Sequence, residues 1–253
     1  MQPGKRLKRV NEPENWEVPQ TILVILAHPD DPEFFCGATI ARWTSAGHHV
    51  SYCLLTCGDK GVQDYSSNFE DLCILRQGEQ QAAADILGVK QVRFLGYLDG
   101  YLQPDLDLRC DITRVIRQER PDIIVTCDPT ALYLRDTMIN HPDHRAAGQA
   151  VLDAVFPASG NHLYFSELWK DQGLEPHSVR EVWASLTLNP NVVLDVTDYW
   201  DIKIQALMQH ASQVGDPQRL EARMRSRHSD DSTPDNPRYE EKFRRIVFEM
   251  RKT

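Results

Sequence analysis

The chain has 253 residues, 41% of them hydrophobic and 26% charged, the balance of a soluble globular protein with length enough for a sizeable core. A formal charge of −9 excludes a general nucleic-acid binder, which needs a basic face to neutralise phosphates. No apolar run approaches the roughly 20 residues of a membrane span.

Residues 1–20 read as a polar arm. Its basic cluster Lys5-Arg6-Leu7-Lys8-Arg9 is followed by Glu12, Glu14 and Glu17 rather than by a signal-peptide apolar core, and it reads as solvated, with packing on a neighbouring subunit of a homo-oligomer as the alternative. Residues 21–253 read as one α/β domain. The stretch 21–27 is a near-continuous aliphatic strand of the parallel, doubly covered kind. A helix over 33–46 follows, with Phe34, Ile40 and Trp43 on its apolar side and Gly47 as its left-handed cap. A second strand over 50–56 runs into the turn Cys57-Gly58-Asp59-Lys60-Gly61, where two glycines permit unusual backbone angles.

A long helix over 70–87 ends at Gly88, and 92–95 is a short strand. Residues 107–119 are helical until Pro121 stops them ahead of a strand over 122–127. Pro142 suits the first turn of a helix reaching Phe156. Beyond it, 182–188 and 192–196 read as strands and 198–211 as a helix. A polar loop over 229–237 then leads to a last helix from Arg238. Alternating strands and helices predict a Rossmann-like, mostly parallel sheet covered by helices on both faces, with C-terminal strand and helix additions. The six cysteines (Cys36, Cys53, Cys57, Cys73, Cys110, Cys127) show no C-x-x-C pair, which predicts free thiols, mostly buried, in the cytoplasm.

Two short segments carry chemistry. Ala27-His28-Pro29-Asp30-Asp31 places an imidazole and two carboxylates at the end of the first strand, where open α/β sheets build their active sites. Asn140-His141-Pro142-Asp143-His144-Arg145 adds two imidazoles and a carboxylate, delivered to the same edge by the strand over 122–127. His28 and Asp31, three apart on a turn, can bind one ion together, and His144 completes a His-Asp-His set with a position left for water or substrate. These ligands fit Zn²⁺, and Fe²⁺ also accepts two histidines and a carboxylate, so both metals stay open.

Asp30, His141 and Asp143 remain. A carboxylate beside a metal can take a proton from water; His141 can stabilise an oxyanion or move a proton to the leaving group, with Asp143 orienting its ring. That set points to metal-assisted hydrolysis. A metal-dependent phosphoesterase is the second enzyme reading, although two-metal versions need more bridging carboxylates than cluster here. A non-catalytic Rossmann-like binding module is the third. It requires G-x-G-x-x-G after the first strand, where this chain has His-Pro-Asp-Asp.

On these two motifs the chain resembles the PIG-L/LmbE-like family of zinc-dependent N-acetylglucosaminyl deacetylases over residues 21–215. Supporting features are the turn at 57–61, Arg76-x-x-Glu79 with Ala83 and Leu87-Gly88, and the segments 203–207 and 210–213. The resemblance implies zinc held by His28, Asp31 and His144, and Asp30 as general base and later acid. It implies His141, supported by Asp143, at the oxyanion, Arg76 on substrate polar groups, and His210 near the pocket wall. The implied reaction frees acetate and an amine from an N-acetylglucosamine-type sugar or its small-molecule conjugate. Some members carry Tyr two positions before the first His of H-P-D-H; here that position is Ile139, and Tyr133 of the same loop is the candidate substitute.

Overall fold

In the computed structural model, which describes residues 13–61 and 68–249, the aliphatic run forms β1 (Thr21–Leu26) in the middle of the sheet. In chain order follow α1 (Asp31–Ser45), β2 (His49–Thr56), α2 (Phe69–Ile86), β3 (Gln91–Tyr97), α3 (Leu106–Glu119) and β4 (Ile123–Cys127). A small hairpin of β5 (Tyr133–Arg135) and β6 (Met138–Ile139) leads to α4 (Pro142–Asp153), α5 (Ser166–Lys170), β7 (Glu181–Ser185) and β8 (Val192–Asp195). The chain closes with α6 (Trp200–Leu207), α7 (Ala211–Val214), α8 (Pro217–Arg225) and β9 (Glu240–Val247).

The seven main strands lie in the order β3-β2-β1-β4-β7-β9-β8. The first five are parallel, and β9 runs antiparallel between β7 and β8. Because successive side chains of a strand point to opposite faces, β1 feeds two cores. Ile22, Val24 and Leu26 pack with Trp43 of α1 and Ala83 of α2, whereas Leu23, Ile25 and Ala27 pack with Ile112 of α3 and Val151 of α4. The predicted fold class is therefore observed, and β1 and β4 lie side by side in register (Val24 opposite Val125), so both motifs leave the same edge.

The C-terminal expectation needs correction: the helix placed from Arg238 is strand β9. Its burial alternates, with Glu241 and Phe243 inside and Lys242 and Arg244 outside, the period of a strand. Glu241 is buried because its carboxylate accepts from Lys203 Nζ (2.5 Å) and from the N–H groups of Ala38 and Thr39 (3.2 and 2.8 Å). The helix expected over 198–211 ends at Leu207, and that expected to Phe156 ends at Asp153, before a π-type turn over 154–159 that holds Pro157.

The thiols are not all free. Cys57 and Cys73 are bonded, their Cα atoms 5.1 Å apart where the end of β2 meets α2; the other four are free. The basic cluster Lys5–Arg9 lies outside the described residues. Within the rest of the arm, Trp16 packs at a tilt against Trp43 and Trp183 (5.4 and 5.9 Å), and Glu14 accepts from Trp43 Nε1 (3.0 Å), so these two residues anchor the stretch to the core while Glu17, Val18 and Pro19 stay exposed.

Candidate active site

The chain turns sharply between β1 and α1. Asp30 takes a φ of +78°, a left-handed conformation that costs a non-glycine residue on the order of 1–3 kcal/mol. Its surroundings hold it there. Asp30 N–H donates to Gln80 Oε1 (2.9 Å), its carbonyl accepts from Phe34 N (2.9 Å), and Arg76 Nη2 donates to Pro29 O (2.8 Å) and lies 3.4 Å from Asp30 Oδ2. The Gln80 amide is fixed in turn, since its Nε2 donates to both oxygens of the buried Glu33 (3.0 and 3.1 Å), which also accept His210 Nε2 (3.2 Å). Only glycine fits at 58 in the facing loop. Its φ is +68°, and a Cβ would lie 2.9 Å from both Pro29 Cδ and Arg76 Nη2.

His28, Asp31 and His144 converge. Asp31 Oδ2 lies 3.4 Å from His28 Nδ1, and Asp31 Oδ1 lies 3.1 Å from His144 Nε2. The far nitrogen of each ring is engaged elsewhere. His144 Nδ1–H donates to Asn140 Oδ1 (3.1 Å), whose amide donates to Ala131 O (2.9 Å). His28 Nε2–H donates to Asp99 Oδ1 and Asp143 Oδ2 (3.1 and 3.2 Å). Each imidazole thus turns a lone pair toward one carboxylate, an arrangement that repels itself unless a proton or cation lies between. Burial opposes charge on His28, yet Asp143, Asp31 and Asp99 hold its pKa well above the usual value. Burial likewise opposes ionisation of Asp31, yet His144 and His28 hold its pKa far below the usual range. Imidazole and carboxylate donors of this kind suit a divalent metal, which competes with protons for the same lone pairs; at this site the donor atoms of His28, His141 and His144 lie within 4.8 Å of one another, as do those of His28, Asp99 and Asp143, and Asp31 belongs to neither group.

His141 faces both His28 and His144, its ring centre 4.8 Å from the first and 5.2 Å from the second. Its Nδ1 accepts the Asp143 N–H (3.2 Å), so Nε2 carries the proton. Burial, and then the neighbouring imidazoles, lower its pKa, which favours a neutral ring able to donate. The Asp143 carboxylate was expected on His141. It sits on His28 instead and also accepts the N–H groups of Gly100 (2.7 Å) and Leu102 (3.3 Å). Burial and the charge of Asp31 raise Asp30 to about 6 against the opposing charges of Arg76 and His210.

A cavity of about 370 Å³ opens on these groups, lined by His28, Asp30, Asp31, Arg76, His141 and His144 among others. Arg76 is buried, and two of its nitrogens, Nε and Nη1, have no protein partner. Glu79 does not pair with it, accepting the N–H and hydroxyl of Ser212 (both 2.7 Å). His210 is placed elsewhere than expected: it is fully buried behind Glu33, and Gln213 of the same segment reaches the wall. Tyr133 lies opposite Ile139 in the hairpin and lines neither this cavity nor the one beside it. Asp99, which follows β3 at the same sheet edge, was missed, as were Gln80 and Glu33; for Asp99 alone the topology offered a signal. A larger cavity, about 920 Å³, lies by the opposite ends of the strands beside Glu14, Trp16 and Arg42, away from these donors.

Clustered imidazoles and carboxylates with a raised carboxylate and a neutral imidazole donor among them, at the carboxyl edge of a Rossmann-like sheet, are the groups that metal-assisted hydrolysis uses. Residues 23–155 match the family model described as PIG-L: GlcNAc-PI de-N-acetylase. A diacetylchitobiose deacetylase of Thermococcus kodakarensis is 37% identical over 205 residues, 81% of this chain and 73% of that one. A 1D-myo-inositol 2-acetamido-2-deoxy-α-D-glucopyranoside deacetylase of Thermobispora bispora is 34% identical over 174 residues, covering 59% and 56%. The structure is similar to that of N,N'-diacetylchitobiose deacetylase from Pyrococcus horikoshii with its inhibitor MPG, at a TM-score of 0.80 and 32% identity, covering 90% of this chain and 84% of that one. The chain belongs to the PIG-L family and is a deacetylase, which removes the phosphoesterase and binding-module readings.

Proposed function

We propose that this deacetylase hydrolyses the acetamide of an N-acetylglucosamine unit in a small conjugate, with Asp30 as its general base. The carrying observation is the placing of the Asp30 carboxylate in the same cavity as the converged His28, Asp31 and His144, with Arg76 Nη2 3.4 Å from it. Relatives named for diacetylchitobiose and for an inositol glucosaminide support the amino sugar. His28, Asp31 and His144 would hold zinc, the mixed imidazole and carboxylate ligands being suited to it. Bound there, zinc supplies Lewis acidity that polarises the acetamide carbonyl and makes water more acidic.

The remaining work falls to side chains of this chain. Asp30 takes a proton from the attacking water and returns it to the sugar nitrogen as the C–N bond breaks, which leaves acetate and a free amine. His141 Nε2–H donates to the acetyl carbonyl oxygen as negative charge develops on it. Arg76, which lines the cavity, contacts sugar oxygens and favours the ionised form of Asp30.

Asp30→Ala tests the assignment. Metal analysis should find the ion retained, while acetate release falls by about 10²–10⁴, the usual worth of a positioned base. Full turnover in that variant would refute the role.

A further inference from the structure

Beside the catalytic cavity lies a second one of about 550 Å³, and the two share Phe34, Phe35, His141 and His144. Their linings differ in kind. The catalytic cavity carries Asp30, Asp31, Asp99, Lys60 and Arg76, groups that suit the hydroxyls of a sugar. The second has walls of Met138, Ile139, Leu186 and Leu188, and no Asp or Glu lines it. Its charge comes from Arg135 of β5 and Arg227, just past the end of α8. Arg223, one turn earlier, lays its guanidinium over Phe34, with Cζ 5.6 Å from the ring centre.

Among the described residues none of these three arginines forms an ion pair, in a chain whose net charge is −9. Desolvation and then the charges of Arg223 and Arg135 lower the pKa of Arg227, although all three arginines are exposed at the rim, and no carboxylate opposes them. Like charges gathered beside an apolar surface repel until an anion joins them. The guanidinium fork matches a carboxylate or a phosphate, and the apolar walls favour a body of low polarity behind it. An acetyl group is far too small to need a cavity of 550 Å³.

We propose that this second cavity is a binding site for the group attached to the amino sugar, and that this group has an apolar body ending in an anion, a carboxylate or a phosphate. The substrate would then bridge the two cavities, with its acetamide at their shared wall of His141 and His144. The assignment of the anion to the substrate rests on the deacetylase reading of the adjoining site.

The test uses the full chain loaded with metal and three glucosaminides that already lack the acetyl group, so that binding is read without turnover. They carry phenyl, 4-carboxyphenyl or 4-phosphophenyl groups, and calorimetry gives each affinity. At low salt one or both charged ligands should bind about tenfold tighter than the phenyl one, the worth of one charge-assisted contact. The stronger of the two identifies the anion, and added salt should shrink the advantage. A variant carrying Arg135→Gln and Arg227→Gln should lose it while binding the phenyl glucosaminide as the unaltered protein does. Equal affinity for neutral and charged ligands, or an equal loss for all three in the variant, would overturn the proposal. Acetate release from N-acetylated phenyl glucosaminide, measured in parallel, bears on the deacetylase reading alone.

Discussion

Asp30 owes its position to a residue 50 places away. Its left-handed backbone presents one N–H to Gln80 Oε1, and Gln80 can offer that oxygen only because Glu33 occupies its NH₂ group. The run His210–Glu33–Gln80–Asp30 thus converts a buried carboxylate under the site into the aim of the proposed base above it. Gln80→Leu is expected to lower kcat roughly 10–100-fold, since small misplacements of a reacting group cost that much. KM and metal content should change little; initial rates and metal analysis check this, and a loss of metal instead would assign Gln80 to the ligand set. His28, Asp31, His144 and Asp30 were legible because each motif packs its groups within a few residues. Gln80 and Glu33 were not, since a lone Gln on a helix and a Glu in the first helical turn have ordinary structural explanations.

At the scale of elements, the close seating of α4 on β4 brings the second motif to the first. Gly148 permits it, for a Cβ there would collide with the Cys127 carbonyl oxygen at the end of β4. His144 stands one turn earlier on the same helix, so a shift of α4 moves its imidazole away from Asp31. Gly148→Ala should therefore cost about 1–3 kcal/mol in urea unfolding, the usual penalty of overpacking. It should also weaken metal binding, and unchanged metal affinity would uncouple the two. Strand β9 shows the opposite case. Its Glu, Lys and Arg content reads as a helix in isolation, and its period of two takes on meaning only between β7 and β8, with Lys203 waiting for Glu241.

Across the whole molecule, Glu181 ties the N-terminal stretch to the far half of the sheet. Its carboxylate accepts from Arg245 Nε (2.9 Å), Trp183 Nε1 (3.0 Å) and Trp16 Nε1 (3.1 Å). Burial alone would raise its pKa, but Arg245 and then the two indoles override that and lower it. The folded-state pKa lies below the unfolded one, so the stabilisation is present above the unfolded value of about 4.3 and is lost as pH falls through the folded one. Glu181→Gln should lower the urea midpoint near neutrality and flatten the decline of stability in acid; an unchanged acid limb would count against it. The parallel sheet and both site motifs were determined by the sequence itself, because continuous aliphatic runs and tightly spaced donors express local chemistry. The tertiary structure alone decided that Asp143 and Asp99 meet His28, that Cys57 reaches Cys73, that 240–247 form a strand, and that three arginines gather beside an apolar cavity. In each case the partners are far apart along the chain, and only packing brings them within range of a hydrogen bond or a charge.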